Sequence, residues 1–196
     1  MKRCLPVFLA LALPLPAIAE PWTPVEKIVT YPVSGASGIE LYRAIGHRGP
    51  TVGKGIRAIA HTNFKLTWRR DYQVRGKACV LASAVPKLIV TYTLPKAEGR
   101  LAEPLASRWR TFLDGIAAHE RVHGEQIIRM TREIEAATVG LTVENDPGCR
   151  KIRSIMTERL GAISARRQAE SNAFDKTEMG ADGAIGRLVI ALVNSG

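Results

Sequence analysis

Residues 119–123 read His-Glu-Arg-Val-His, two imidazoles four positions apart with a carboxylate next to the first. On a helix with about 3.6 residues per turn, this spacing sets His119 and His123 on one face, where both rings reach a single Zn2+. Glu120 is one position further round. Its carboxylate then stands beside the metal, placed to take a proton from water activated there and to deliver it to a leaving amine. The surroundings read as helix, because Leu105, Trp109, Phe112, Ile116, Ile127, Met130, Ile134 and Ala137 recur at helical spacing and both histidines fall on their stripe. Histidines on an apolar stripe are either core residues or ligands. Unpartnered imidazoles are costly to bury, and one metal ion gives both a partner, which favours ligands.

A catalytic zinc needs a third protein ligand and an open position, so the elements around this helix must bring one in. The longer metzincin pattern would place a histidine six residues after His123, but Arg129 stands there and that class is excluded. The long helix is expected from Pro104 to about Thr138, ahead of Gly140, and a second from about Cys149 to Phe174 after the polar loop through Asp146-Pro147-Gly148. Antiparallel helices joined in this way set His119 to His123 level with residues 164–168, give or take a turn. Glu170 lies within that turn and on the apparent inward stripe Ile152, Met156, Leu160, Ile163, Arg167, Glu170 and Phe174. It is the first candidate for third ligand, giving a His-His-Glu site as in thermolysin-like enzymes, with an ion pair to Arg166 or Arg167 as its plainer role. Asp175 is the second candidate, with helix capping as its plainer role.

Ahead of the helices the chain alternates as strands do. Ala60, Thr62, Phe64, Leu66 and Trp68 face one way, and Leu88, Val90, Tyr92 and Leu94 repeat the pattern after the turn Arg75-Gly76-Lys77. Glu26 to Val33 is the expected first strand, ended or confined to an edge by Pro32, and Pro86 sets the early half of the later strand at an edge or bulge. Ser37 can cap a short helix from Gly38 to His47 with Ile39, Tyr42 and Ile45 inward, followed by a glycine-rich loop to Gly55. Gly115 and Gly124 weaken the long helix; they leave room beside it for another element or a substrate, and simple packing against the sheet explains them equally well. The expected fold is α+β, a twisted antiparallel sheet packed against the long HExxH helix and a second antiparallel helix, as in zincins.

The length suits one domain, residues 20–196, and a composition 46% hydrophobic and 23% charged is that of an ordinary globular chain. Residues 1–19 read as a cleaved leader: Lys2 and Arg3, an apolar run from Leu5 to Pro16, then Ala17-Ile18-Ala19, with cleavage expected between Ala19 and Glu20. That implies a periplasmic or secreted protein with no transmembrane segment, since no later stretch approaches the length of a spanning helix. The leader carries two of 28 basic residues and none of 18 acidic ones, leaving 26 against 18, a formal charge of +8. Scattered basic residues imply nonspecific affinity for anionic envelope components, and no nucleic-acid module accompanies them. Cys79 and Cys149 are the two cysteines left after the leader, and an isolated pair in an oxidising compartment reads as one disulfide; thiolate ligation of zinc is the alternative.

Tyr31-Pro32-Val33-Ser34-Gly35, Thr67-Trp68, Cys79, Thr93-Leu94-Pro95, HERVH, Cys149 and the run Phe174 to Gly180, FDKTEMG, occur in an order that resembles the bacterial family of predicted secreted Zn-dependent proteases, domain-of-unknown-function family 922. The resemblance covers nearly the whole mature chain, and it implies zinc and peptidase activity without naming a substrate. It has one departure. Met179 stands where Thr-x-His-Gly is common in that family; if that histidine is a ligand, Glu170, Asp175 or Glu178 must serve here instead. The leading expectation is therefore a zinc metallopeptidase with Glu120 as base and a peptide or protein substrate, held by strand addition to a sheet edge. The alternatives are an envelope binding or assembly module of the same fold without turnover, and a zinc amidase acting on a non-protein amide.

Overall fold

Two long strands joined by the Gly76-Lys77 turn dominate the sheet. The computed structural model describes residues 22–53, 55–180 and 182–194; the expected leader lies outside them. The elements in order are β1 (Val25–Val33), α1 (Gly38–Arg48), β2 (Thr51–Val52), β3 (Ile56–Arg57), β4 (His61–Arg75), β5 (Ala78–Ala97), α2 (Leu105–Thr138), β6 (Thr142–Val143), α3 (Arg150–Glu178) and α4 (Ala184–Val193). The class is α+β. The sheet, however, is mixed: β4 pairs antiparallel with β5, while β1 joins the other side of β5 in parallel. This corrects the expected all-antiparallel sheet, because alternation marks a strand without naming its partner or direction.

Strand β5 is longer than its alternation from Leu88 suggests, and its prolines show how so long a strand accommodates them. Pro86 pairs with Trp68 of β4 where neither β1, which begins opposite Ile89, nor β6, which meets Cys79 and Val80, covers the other side. Pro95 pairs with Tyr31 of β1 beyond the last β4 partner, Thr93. Each missing N–H thus falls where the ladder is one-sided. Pro32 likewise sits in β1, an edge strand.

Helix α2 packs its apolar stripe on the inner face of the sheet. Leu88, Val90 and Tyr92 meet Ile127, Met130 and Ile134, with Phe64, Leu66 and Trp68 of β4 against the same cluster. A second cluster holds Val33, Leu41, Ile45, Trp109, Phe112 and Ile116 with Ile185 and Leu192 of α4, a helix not among the elements expected from the sequence. In α1, capped by Ser37, Leu41 takes an interior place and Ile39 is exposed, reversing that part of the expected face. The glycine-rich stretch after α1 contains the small β2–β3 ribbon.

Both glycines of α2 make room for structure. A Cβ on Gly124 would overlap the Tyr92 hydroxyl, and one on Gly115 would overlap a Leu188 methyl of α4. Helix α3 begins under two ties. Cys149, left-handed at φ 53°, is disulfide-bonded to Cys79. Buried Asp146 accepts backbone N–H bonds from Arg150 and Lys151 at Oδ1 and from Ile152 at Oδ2. Burial pushes the Asp146 carboxyl up, but those three donors outweigh it and hold it below its ordinary range. No helix among the described residues is long and apolar enough to cross a membrane.

Candidate metal centre

The stripe of α2 that packs on the sheet carries His119 and His123 to its border with α3, where both rings turn toward one carboxylate. Asp175 Oδ1 lies 3.2 Å from His119 Nε2 and 2.8 Å from His123 Nε2, and the two Nε2 atoms are 3.1 Å apart. Phe174, the neighbour of Asp175, stacks on His119 at 4.7 Å between ring centroids and meets His123 edge-on at 5.4 Å. Ser171, one turn earlier on α3, places Oγ 3.0 Å from His123 Nδ1. An Nδ1–H donated to Ser171 leaves the Nε2 lone pair facing the cluster.

Three donor atoms so arranged match a cation better than one another. Tetrahedral ligands bound to zinc at about 2.0 Å stand about 3.3 Å apart, close to the separations seen here, and two imidazoles with an aspartate form a donor set zinc accepts. Without a cation the group leans on ionic pairing. Burial pushes Asp175 up, but hydrogen bonds from His119 and His123 outweigh it and hold the carboxyl well below its usual range. Burial pulls His123 down, and the hydrogen bond and charge of Asp175 more than reverse this. Nδ1 of His119, a residue only 6% exposed, is buried without a hydrogen-bond partner among the described residues.

Glu120 is equally buried and points beside this group. Thr62 on β4 donates Oγ1–H to Glu120 Oε2 at 2.5 Å and lies 3.1 Å from the Glu120 carbonyl oxygen. One carboxylate oxygen is thereby fixed by the sheet. The cleft around these residues is floored by α2 and walled by the 56–64 segment on one side and by Arg167, Ser171, Asn172, Asp175 and Met179 of α3 on the other. Its β wall includes the start of β4, the edge strand of the sheet.

Among the described residues the group able to hold a metal is His119, His123 and Asp175. Glu170, the first candidate from the sequence, is not part of it: it is exposed and pairs with Arg129 at 3.0 Å. Two physical facts moved the site. Between Ile163 and Phe174 the helix has no large apolar residue to mark its inner face, and the face runs through Ser171 instead of Glu170. The level opposite His119 also lies about two turns later than a tight helix hairpin would set it. In the linker, β6 pairs with β5, and Cys149 is bridged to the sheet. Thr62, Ser171 and the stacking of Phe174 escaped the sequence reading. Ser171 was findable from Asp175, which it precedes by one turn on the same face. Cysteines 79 and 149 are spent on each other and take no part in the site. Met179 stands at the cleft rim, 50% exposed.

Neither the curated proteins nor the solved structures contain a match to the chain. One family does match, described as a bacterial protein of unknown function (DUF922), over residues 28–183, from β1 through His119, His123 and Asp175 to the foot of α4, and the chain belongs to that family.

Proposed function

We propose that the protein is a zinc-dependent hydrolase of peptide bonds. The observation that carries this reading is the convergence of His119 Nε2, His123 Nε2 and Asp175 Oδ1 beside the buried Glu120 carboxylate. His119, His123 and Asp175 would hold the ion, with Ser171 and Phe174 fixing the rings. A zinc ion so held supplies a Lewis acid that acidifies water and polarises a carbonyl. Glu120 accepts the proton of the attacking water and returns it to the leaving nitrogen, and Thr62 keeps its carboxylate turned into the cleft. The free edge of β4 offers backbone donors and acceptors to an extended peptide crossing the cleft. A long helix carrying HExxH beneath such an edge strand is a zincin-like arrangement. The reading as an exported enzyme rests on the leader-like residues 1–19 and on the disulfide, which suits an oxidising compartment.

Zinc content and hydrolysis of unstructured protein, measured for wild type and Glu120→Gln, test the reading together. Both proteins should bind one zinc, and the variant should lose about a hundredfold to ten-thousandfold in rate. Zinc binding with no wild-type turnover on peptide substrates would instead point to a binding module or to a zinc amidase for non-protein amides, which assays on such amides would separate.

A further inference from the structure

The inner face of α3 carries Arg167, Ser171 and Asp175 at successive four-residue steps, and all three line the cleft. Two have partners within the site: Asp175 meets both histidines, and Ser171 meets His123. The third has no counter-ion among the described residues. No carboxylate among the described residues lies within ion-pairing distance of Arg167, whereas Arg166 pairs with Glu133 and Arg129 with Glu170 on the outer flank. Among the described residues Arg167 Nε is buried without a partner, and the hydrogen bond its guanidinium makes is a 3.2 Å contact with the amide oxygen of Gln168, its chain neighbour. Its guanidinium carbon lies 5.7 Å from the centre of the Phe64 ring, across the cleft on β4. Burial lowers its pKa, though an arginine so placed stays charged. A desolvated, fork-shaped cation without a counter-ion in a substrate cleft is suited to a carboxylate that arrives with the ligand.

We propose that Arg167 forms a subsite for a substrate carboxylate, either an acidic side chain or a free C-terminus, at a distance from the scissile bond set by the helix. Eight residues of α3 separate it from Asp175, about 12 Å of rise, which is about three to four residues of an extended peptide. Phe64, on the β4 wall, presents its ring to the guanidinium within cation–π reach. The inference rests on the peptide-hydrolase reading, but its own test can be read without turnover.

The probe is a set of fluorescein-labelled decapeptide pools, matched except for Glu against Gln and for a free or amidated C-terminus, titrated by anisotropy into zinc-loaded Glu120→Gln protein. Carboxylate-bearing peptides should bind about tenfold more tightly than their neutral counterparts. Arg167→Met, which keeps an unbranched stem without the charge, should erase that preference and leave neutral peptides unaffected. Arg166→Gln removes the same formal charge from the outer flank and should retain it. Should Arg167→Met misfold, as judged by melting and zinc content, Arg167→Lys replaces it; loss of the planar fork should then cut most of the preference. A preference that follows the free C-terminus identifies the terminal carboxylate as the ligand, and one that follows Glu identifies an acidic side chain. Equal affinity for acidic and neutral peptides, or an equal loss with Arg166→Gln, overturns the subsite while the hydrolase reading stands. A preference lost only with Arg167, in a protein whose wild type cleaves nothing, keeps the subsite and removes the hydrolase. If no peptide binds, the subsite is overturned, and wild-type turnover of the same peptides decides the hydrolase reading.

Discussion

At the residue scale, the proposed centre draws on three donors that are held in different ways. His119 and His123 sit on one rigid helix, while Asp175 arrives from another, so each should be indispensable to stoichiometric zinc binding. We expect His119→Ala, His123→Ala and Asp175→Ala to purify without tightly held zinc and Glu170→Ala to keep a full equivalent, measured by metal analysis after dialysis. Zinc retained by Asp175→Ala and lost by Glu170→Ala would reverse the assignment. Ser171 acts at one remove, through the Nδ1 side of His123. Ser171→Ala should therefore weaken zinc about tenfold to a hundredfold without abolishing it, seen in competition with a chelator. The HExxH part of this was legible from five adjacent residues. Asp175 was legible only as one acid among several near a helix end, since nothing between Ile163 and Phe174 marks which side of α3 faces inward.

At the element scale, α2 is held to the sheet by a close approach at Gly124. Tyr92 leans its ring against that glycine and directs its hydroxyl toward Glu26 at 3.3 Å; burial, with Glu26 adding to it, pushes the phenol up to about 12. Gly124→Ala gains helix propensity of about 1 kcal/mol, yet its methyl would overlap the phenol, and overpacking of this kind costs about 1–3 kcal/mol. The clash should win, and thermal melting should show a net loss of stability. Tyr92→Phe removes the nearest atom of the clash, so in that background Gly124→Ala should cost less; strictly additive effects in the double variant would show that the two do not meet.

At the scale of the whole molecule, the Cys79–Cys149 bridge closes 70 residues of sequence separation between the sheet and the start of α3. In the chain-entropy account, such a loop stabilises the fold by about 4 kcal/mol. The effect extends to the centre, because α3 carries Asp175 and Ser171. Reduction, or Cys79→Ala with Cys149→Ala, should lower the denaturation midpoint by a corresponding amount and weaken zinc binding in parallel. Zinc affinity unchanged in a clearly destabilised variant would show that α3 is positioned by its packing on α2 alone.

Alternation and helical spacing determined what the chain could declare about itself locally: the strands around Phe64 and Val90, the α2 stripe with its two histidines, the pairing of two lone cysteines. The strands and the stripe are written within a few turns or a few residues of chain, where side chains repeat with the period of the element, while the cysteine pairing follows from there being two cysteines after the leader. The parallel seating of β1, the docking of α4 against Gly115, the choice of Asp175 over Glu170 and the separation of Arg167 from every carboxylate among the described residues were decided only by tertiary structure. They depend on where the linker pins α3 to the sheet and on how α3 is rotated against α2. A shift of one residue in that rotation exchanges Ser171 for Glu170 on the inner face, and this stretch of helix carries no large apolar residue to prevent it.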